Sequence, residues 1–231
     1  MTPTLTDFDD ISRRINATAT RNCAKCGKPF LALGLQGICD TCAEAIDAPR
    51  VIVRELGESW PERHRAKLAD MAGPSLERAR KLLPLAMSGG MIVLAGDRGR
   101  GKTQMATWLA WQRGKAGKKP GIYAKAFDLF AAVKGTWGRN ATEAEGKALA
   151  RFKQASFLAL DECHERGETD WENRTLRNVL DHRYDACLPT LLIGNWPTAE
   201  DIGASLGASI TDRITETGGV VWCRWESYRA A

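Results

Sequence analysis

The sequence predicts an α/β fold: a parallel β-sheet covered by helices on both faces, built around a phosphate-binding loop and preceded by a small zinc-binding segment. Three observations carry this reading. From residue 49 onward, short apolar runs alternate with helical stretches, the pattern of buried strands joined by crossover helices. One apolar run leads into Gly96-Asp-Arg-Gly99-Arg-Gly101-Lys102-Thr103, a Gly-x-x-x-x-Gly-Lys-Thr loop with a helical stretch behind it. Ahead of both stand two Cys-x-x-Cys pairs that fit neither pattern.

Taken in order, residues 1–48 contain Cys23-Ala-Lys-Cys26 and Cys39-Asp-Thr-Cys42, separated by twelve residues. Four thiolates suit tetrahedral Zn²⁺, two from each compact turn. So short a segment buries too little apolar surface to hold itself folded, so metal binding would supply the folding energy. With four thiolates and no open position, the site reads as structural; four unrelated thiols or a redox pair are the alternatives. Residues 49–231 form the second domain. Residues 51–56 begin it as a strand, and helical stretches follow at 61–71 and 74–87. Residues 91–95 are a buried strand bounded by glycines, and 102–113 are a helix. Strands are then expected at 121–124, 157–160 and 190–193, and helices at 127–134, 142–152 and 171–186. Residues 220–224 are placed at the close of the sheet.

Composition narrows the class. With 231 residues, 44% apolar and 26% charged, the chain is neither disordered nor collagen-like. No apolar run approaches the ~18 residues of a membrane span. The opening residues lack the apolar stretch of a secretion signal, so the expectation is cytoplasmic, with no membrane partner. Seven cysteines in that setting argue against a disulfide framework. The net charge of +5 is unevenly spread: eight basic residues and no acidic one lie between Asp97 and Asp128. Such a stretch suits nucleotide phosphates and nucleic acid, with a solvated surface as the plain alternative.

The loop residues Gly96, Asp97, Arg98, Gly99, Arg100, Gly101, Lys102 and Thr103, with Gln104 after them, form the expected nucleotide-binding segment. Backbone N–H groups and the helix N-terminus attract phosphate, Lys102 reaches the β- and γ-phosphates, and Thr103 binds Mg²⁺. The run 157–160 ends in Asp161-Glu162. Asp161 would serve the Mg²⁺, and Glu162 would polarise an attacking water. No Asn-Lys-x-Asp sequence is present, so ATP rather than GTP is expected. Asn195, just past the 190–193 strand, reads either as a contact to the γ-phosphate or water, or as a turn residue.

In this order the motifs resemble an AAA+ ATPase. The stretch 127–137, Leu160-Asp161-Glu162, Arg177-Asn-Val-Leu-Asp-His-Arg183, Ile193-Gly-Asn195, Ile210-Thr-Asp-Arg213-Ile and Trp225-Glu-Ser-Tyr-Arg229 resemble in particular the DnaC/DnaI-type replicative helicase loaders, phage-encoded members among them. The resemblance spans roughly residues 50–231. It implies a three-layer αβα core without a C-terminal lid, since eighteen residues follow Arg213. It implies that Arg213 is an arginine finger acting on a neighbouring subunit, in a head-to-tail oligomer; a surface ion pair with Asp212 or Glu216 is the alternative. It places Arg229 against phosphate within its own subunit, and residues 59–64 at the entry to an adenine pocket. It matches Lys134 and Trp137 to positions that bind single-stranded DNA, with Trp171 near another aromatic contact. Trp108, Trp111 and Trp222 are read as core. The cysteine segment sits where the family's domain for binding the hexameric helicase would be. The activity implied is weak, assembly-stimulated ATP hydrolysis that serves helicase loading. An IstB-type transposase helper and a non-hydrolysing DNA-binding adaptor are the rivals.

Overall fold

The structure is a computed structural model that describes residues 20–24, 26–31, 56, 58–138, 141 and 143–229. Cys39, Cys42 and most of the strand expected at 51–56 lie outside the described residues. A small antiparallel hairpin comes first, with β1 (Thr20–Asn22) paired to β2 (Pro29–Leu31). Its turn carries the first cysteine pair: Cys23 N–H donates to the Lys28 carbonyl (2.9 Å), and Gly27 N–H donates to the Cys23 carbonyl (2.8 Å).

The main body is a five-stranded parallel sheet. Its strands are β3 (Met91–Ala95), β4 (Ile122–Lys125), β5 (Leu158–Asp161), β6 (Thr190–Ile193) and β7 (Gly219–Trp222), in spatial order β4-β5-β6-β3-β7. All four pairings are parallel. Residues 220–224 were expected to close the sheet, and among the described strands β7 stands at its edge beside β3. In β3 the side chains alternate. Ile92 and Leu94 join one buried cluster, and Met91, Val93 and Ala95 join the other. A strand apolar at every position therefore feeds two cores, which explains why no period-two pattern shows in its sequence.

On one face lie α1 (Glu62–Arg65), α2 (Gly73–Ser88) and α3 (Lys102–Lys115). On the other lie α4 (Ala126–Lys134), α5 (Glu145–Lys153), α6 (Asp170–Asp185), α7 (Ala199–Leu206) and α8 (Ala208–Thr217). Capping boxes start two of them. Thr169 and Glu172 exchange backbone-to-side-chain hydrogen bonds of 3.3 Å at the head of α6, and Thr198 and Asp201 do the same before α7. The long helix expected at 61–71 is a correction. Only Glu62–Arg65 is helical, and beyond Ala66 the chain continues in turns, with Lys67 N–H reaching back three residues to His64 (3.3 Å) and Leu68 to Arg65 (3.3 Å). Trp60, Trp108 and Trp111 are buried, and Trp60 stacks on Phe157 at 6.1 Å. Among the described residues no helix is long and apolar enough to cross a membrane.

Candidate functional site

Strand order places the chemistry. β6 lies between the strand that feeds the phosphate loop and the strand that ends in Asp161, so Asn195 emerges between Lys102 and the carboxylates at the carboxyl edge of the sheet. Here a cleft of about 860 Å³ is lined by Arg98, Gly99, Arg100, Gly101, Lys102, Thr103, Gln104, Asp161, Glu162, Asn195 and Arg229. Residues spread over more than 130 positions of sequence thus share one pocket.

Lys102 is 7% exposed. Its ammonium donates to the Gly96 carbonyl (2.6 Å), the Asp97 carbonyl (2.7 Å) and Asn195 Oδ1 (2.8 Å). Burial pushes its pKa down, while Asp161 and Asp97 pull the other way. Three acceptors in place of water hold a cation where phosphate oxygens would lie. Thr103 Oγ1 donates to Asp161 Oδ2 (2.7 Å), which also accepts from the Tyr123 hydroxyl (2.9 Å), and Asp161 Oδ1 accepts from Glu162 N–H (2.7 Å). Burial and the adjacent Asp161 carboxylate raise the Tyr123 pKa, so the phenol remains a donor. Glu162 sits in the left-handed region at φ 56°, a conformation that costs energy for a side chain of this kind and recurs at functional positions. Its carboxylate is paired with Lys125 Nζ at 3.0 Å.

The opposite wall is made by α1 and the chain end. His64 Nδ1 meets Gln104 Oε1 at 2.9 Å, and Gln104 Nε2 donates to the His64 carbonyl at 2.9 Å. Residues 225–229 pack against the phosphate loop. Trp225 Nε1 donates to the Arg100 carbonyl (2.9 Å), the Arg100 guanidinium donates to the Trp225 carbonyl, and Tyr228 N–H donates to the Gly99 carbonyl (2.9 Å). A Cβ at Gly99 would lie 2.1 Å from Ser227 Oγ, and the residue has φ +80°. The backbone angle is what calls for glycine here, since the Ser227 hydroxyl could rotate away from a Cβ. Arg229 follows this contact and faces the cleft; burial lowers the His64 pKa, and the Arg63 and Arg229 charges add to that.

Two groups of anticipated residues lie elsewhere. Lys134, Trp137 and Trp171 come together: Lys134 Nζ stands 4.9 Å from the centroid of the Trp171 ring, and Trp137 meets the same ring edge-on at 5.0 Å. Trp137 is 53% exposed, which excludes a core role. Arg213 is not among the cleft residues. It pairs with Asp181 of α6, rather than with Asp212 or Glu216 as the surface reading supposed, and lies 5.0 Å over the Tyr184 ring. Tyr123, Lys125 and His164 are site residues that sequence reasoning missed. Tyr123 and Lys125 reach the site because β4 neighbours β5, with Lys125 in register with Asp161. Strand order is not written in any local pattern. His164 follows the acidic pair by two residues, and that proximity was the available signal.

The donor set fits a nucleotide with Mg²⁺: a caged ammonium, and a hydroxyl and carboxylate facing each other at 2.7 Å. Comparison with known proteins agrees with this geometry. The replicative helicase loader DnaC of Escherichia coli K12 is 27% identical over 140 residues, 60% of this chain and 56% of the relative. The chain thus matches just over half the length of that relative. Among solved structures, the DnaC helicase loader aligns with a TM-score of 0.55 at 19% identity over 70% of this chain and 99% of that one. The structure of DnaI aligns at 0.51 and 19% identity over 76% and 94%. These structural likenesses establish the shared fold. The model of the IstB-like ATP binding protein family matches residues 85–231, from the phosphate-loop strand to the tail that clasps it, and the chain belongs to that family.

Proposed function

We propose that this protein is an ATP hydrolase that acts on single-stranded DNA and loads a hexameric replicative helicase. The observation that carries the hydrolytic part is the convergence of Lys102, Thr103, Asp161, Glu162 and Asn195 on one cleft. In this reading Glu162 leaves Lys125 and accepts the proton of a water. The water oxygen bonds to the γ-phosphorus as the bond to the ADP oxygen breaks. Lys102 exchanges carbonyl acceptors for phosphate oxygens, and Arg229 adds charge from the same subunit. Thr103 and Asp161 would hold Mg²⁺, which supplies charge neutralisation on the phosphates. Arg213 stands apart from its own cleft, as a residue acting on a neighbour's nucleotide in a head-to-tail assembly must. Hydrolysis then depends on assembly.

The cluster of Lys134, Trp137 and Trp171 supports the DNA reading. An exposed aromatic face next to a cation suits stacking on a base with an ion pair to phosphate, at about 1–3 kcal/mol per stacked base and without sequence preference. The helicase part is supported by the likeness to the E. coli loader. For the N-terminal segment we propose Zn²⁺ held by Cys23, Cys26, Cys39 and Cys42 as the handle for the helicase. The hairpin turn that carries Cys23 and Cys26 is the support on the described side.

The IstB description of the matching family favours a second reading, a transposase helper. The deciding experiment mixes the protein with its host's replicative helicase and measures complex mass by light scattering, with and without ATP. A complex that forms supports loading. No complex in either condition overturns it, and a complex with a transposase in its place assigns the helper role.

A further inference from the structure

We infer that His164 is a positioning residue for Asn195, fixing which end of its amide faces the phosphate loop. The argument is one of donors and acceptors. An ammonium has no lone pair, so the Asn195 atom 2.8 Å from Lys102 Nζ is the carbonyl Oδ1. The other end of the amide is then NH₂, and it lies 2.8 Å from His164 Nε2. An NH₂ group only donates, so Nε2 accepts, and the ring is neutral with its proton on Nδ1. Lys102 to Asn195 to His164 is therefore a one-way chain that starts at the phosphate-binding lysine.

The setting keeps the ring in this state. Burial lowers the His164 pKa, Lys102 and Arg98 lower it further, and Glu165 and Asp161 oppose them. These are the charged groups that face the ring: Glu165 on its own turn, Arg98 on the loop, Lys102 on α3 and Asp161 on β5. The loop after β6 contributes Asn195 and the Trp196 ring, which meets the imidazole edge-on at 6.2 Å. Trp196 folds back over Gly194, where a Cβ would lie 2.5 Å from ring carbons, so the loop bearing Asn195 is fixed as well. A histidine serving packing alone would satisfy both nitrogens. Here Nδ1 is buried with no hydrogen-bond partner among the described residues, while Nε2 faces the amide.

Neutral His164 thus presents Asn195 Oδ1 to the phosphate loop, making Asn195 an acceptor for Lys102 or for a reacting water rather than a donor to phosphate. Protonation reverses this. Nε2–H would donate to Glu165 Oε1, already 3.3 Å away, and could no longer accept from Asn195. Because Glu165 also pairs with Arg98 of the loop at 2.7 Å, the released amide and the loop respond together.

The kinetic arm of the test rests on the hydrolytic reading; the spectroscopic arm does not. In the nucleotide-free full chain, long-range ¹H–¹⁵N spectra resolve three histidines, and His164→Gln identifies the His164 signals. The neutral Nδ1–H tautomer is expected at pH 7.5, and Asn195→Ala should convert it to a mixture. An Nε2–H tautomer, or no response to Asn195→Ala, overturns the inference. In turnover assays His164→Ala should lose about tenfold in kcat, the scale of one hydrogen bond, with KM for ATP within about threefold. His164→Gln, whose Oε1 can accept from the amide, should recover most of that loss. Turnover of the unaltered chain should fall as pH drops below the ordinary histidine value of 6.5, and His164→Gln should remove that fall. Unchanged kcat in His164→Ala, or failure of His164→Gln to rescue, overturns the proposal. A chain that hydrolyses no ATP at all sinks the hydrolytic reading, while the tautomer still decides the role of His164.

Discussion

Glu162 and Lys125 define the resting state of the site. Their pair is partly open to solvent, with side chains 38% and 48% exposed, and pairs of that exposure are worth about 0–1 kcal/mol. Hydrogen bonding to Glu162 raises the Lys125 pKa, so Lys125 stays charged through the neutral range. In the proposed hydrolysis Glu162 must let go before it polarises water, and the low strength of the pair limits what release costs. Lys125→Ala should therefore raise basal ATP turnover, by no more than about fivefold, in a steady-state phosphate-release assay. At this scale the sequence was informative about half of the site. Lys102, Thr103 and Asp161 sit in motifs whose spacing states their role. Tyr123 and Lys125 sit in an unremarkable strand end, and became site residues through a neighbour 36 or more positions away.

At the scale of elements, Lys134, Trp137 and Trp171, carried by α4, the turn after it and the head of α6, make up the proposed surface for nucleic acid. α4 starts without a loop at the end of β4, with Lys125 N–H donating to Asp128 Oδ2 at 3.0 Å, and runs to Lys134. Phe130 of its buried side meets Trp171 at 5.8 Å, so the aromatic cluster is anchored from within while Trp137 faces outward. The double variant Lys134→Ala, Trp137→Ala should weaken single-strand binding by at least tenfold in fluorescence anisotropy, leaving the thermal midpoint nearly unchanged. Equal affinity would move the DNA surface elsewhere. Strands 91–95 and 190–193 were legible to the residue because β-branched and other apolar runs between glycines or turn residues have no competing pattern. The 61–71 stretch was not, because propensity alone cannot tell one helical turn and a series of turns from a full helix. The helices α7 and α8 went unpredicted although Thr198-x-x-Asp201 signals a start.

At the scale of the whole molecule, two buried arginines tie the layers with no carboxylate partner among the described residues. Arg183, fully buried, donates to Thr190 Oγ1 and to the carbonyls of Phe152, Ala155 and Pro189. Burial pushes its pKa down to about 9. Arg113 reaches Ala86, Ser156 and Lys119 in the same way, with its pKa pushed to about 10. Each guanidinium takes a carbonyl from the last turn of a helix, Phe152 of α5 or Ala86 of α2, where the backbone is electronegative, and others from loops between helix and strand. Sequence reading placed both arginines on helices and had no means to see them buried. The cysteines divide at this scale too. Cys163 and Cys223 are buried with pKa values pushed up to about 12, so they are unreactive thiols. If the first four bind metal, elemental analysis should find about one zinc per chain, and chelation should release the N-terminal segment to protease while the ATPase core persists. A folded, metal-free protein would exclude the site.

The clasp of residues 225–229 on the phosphate loop also has a kinetic meaning. The Trp225–Arg100 contact closes a loop of 125 residues, and Tyr228 reaches Ser75 across 153. Closures this long are slow to form relative to local helices. On the ribosome, the phosphate loop emerges long before its clasp has been synthesised. A nascent chain stopped short of residue 225 would carry the whole nucleotide motif and yet lack the wall that shapes it. The cleft is thus completed only once residues 225–229 have been made and have folded back onto the loop.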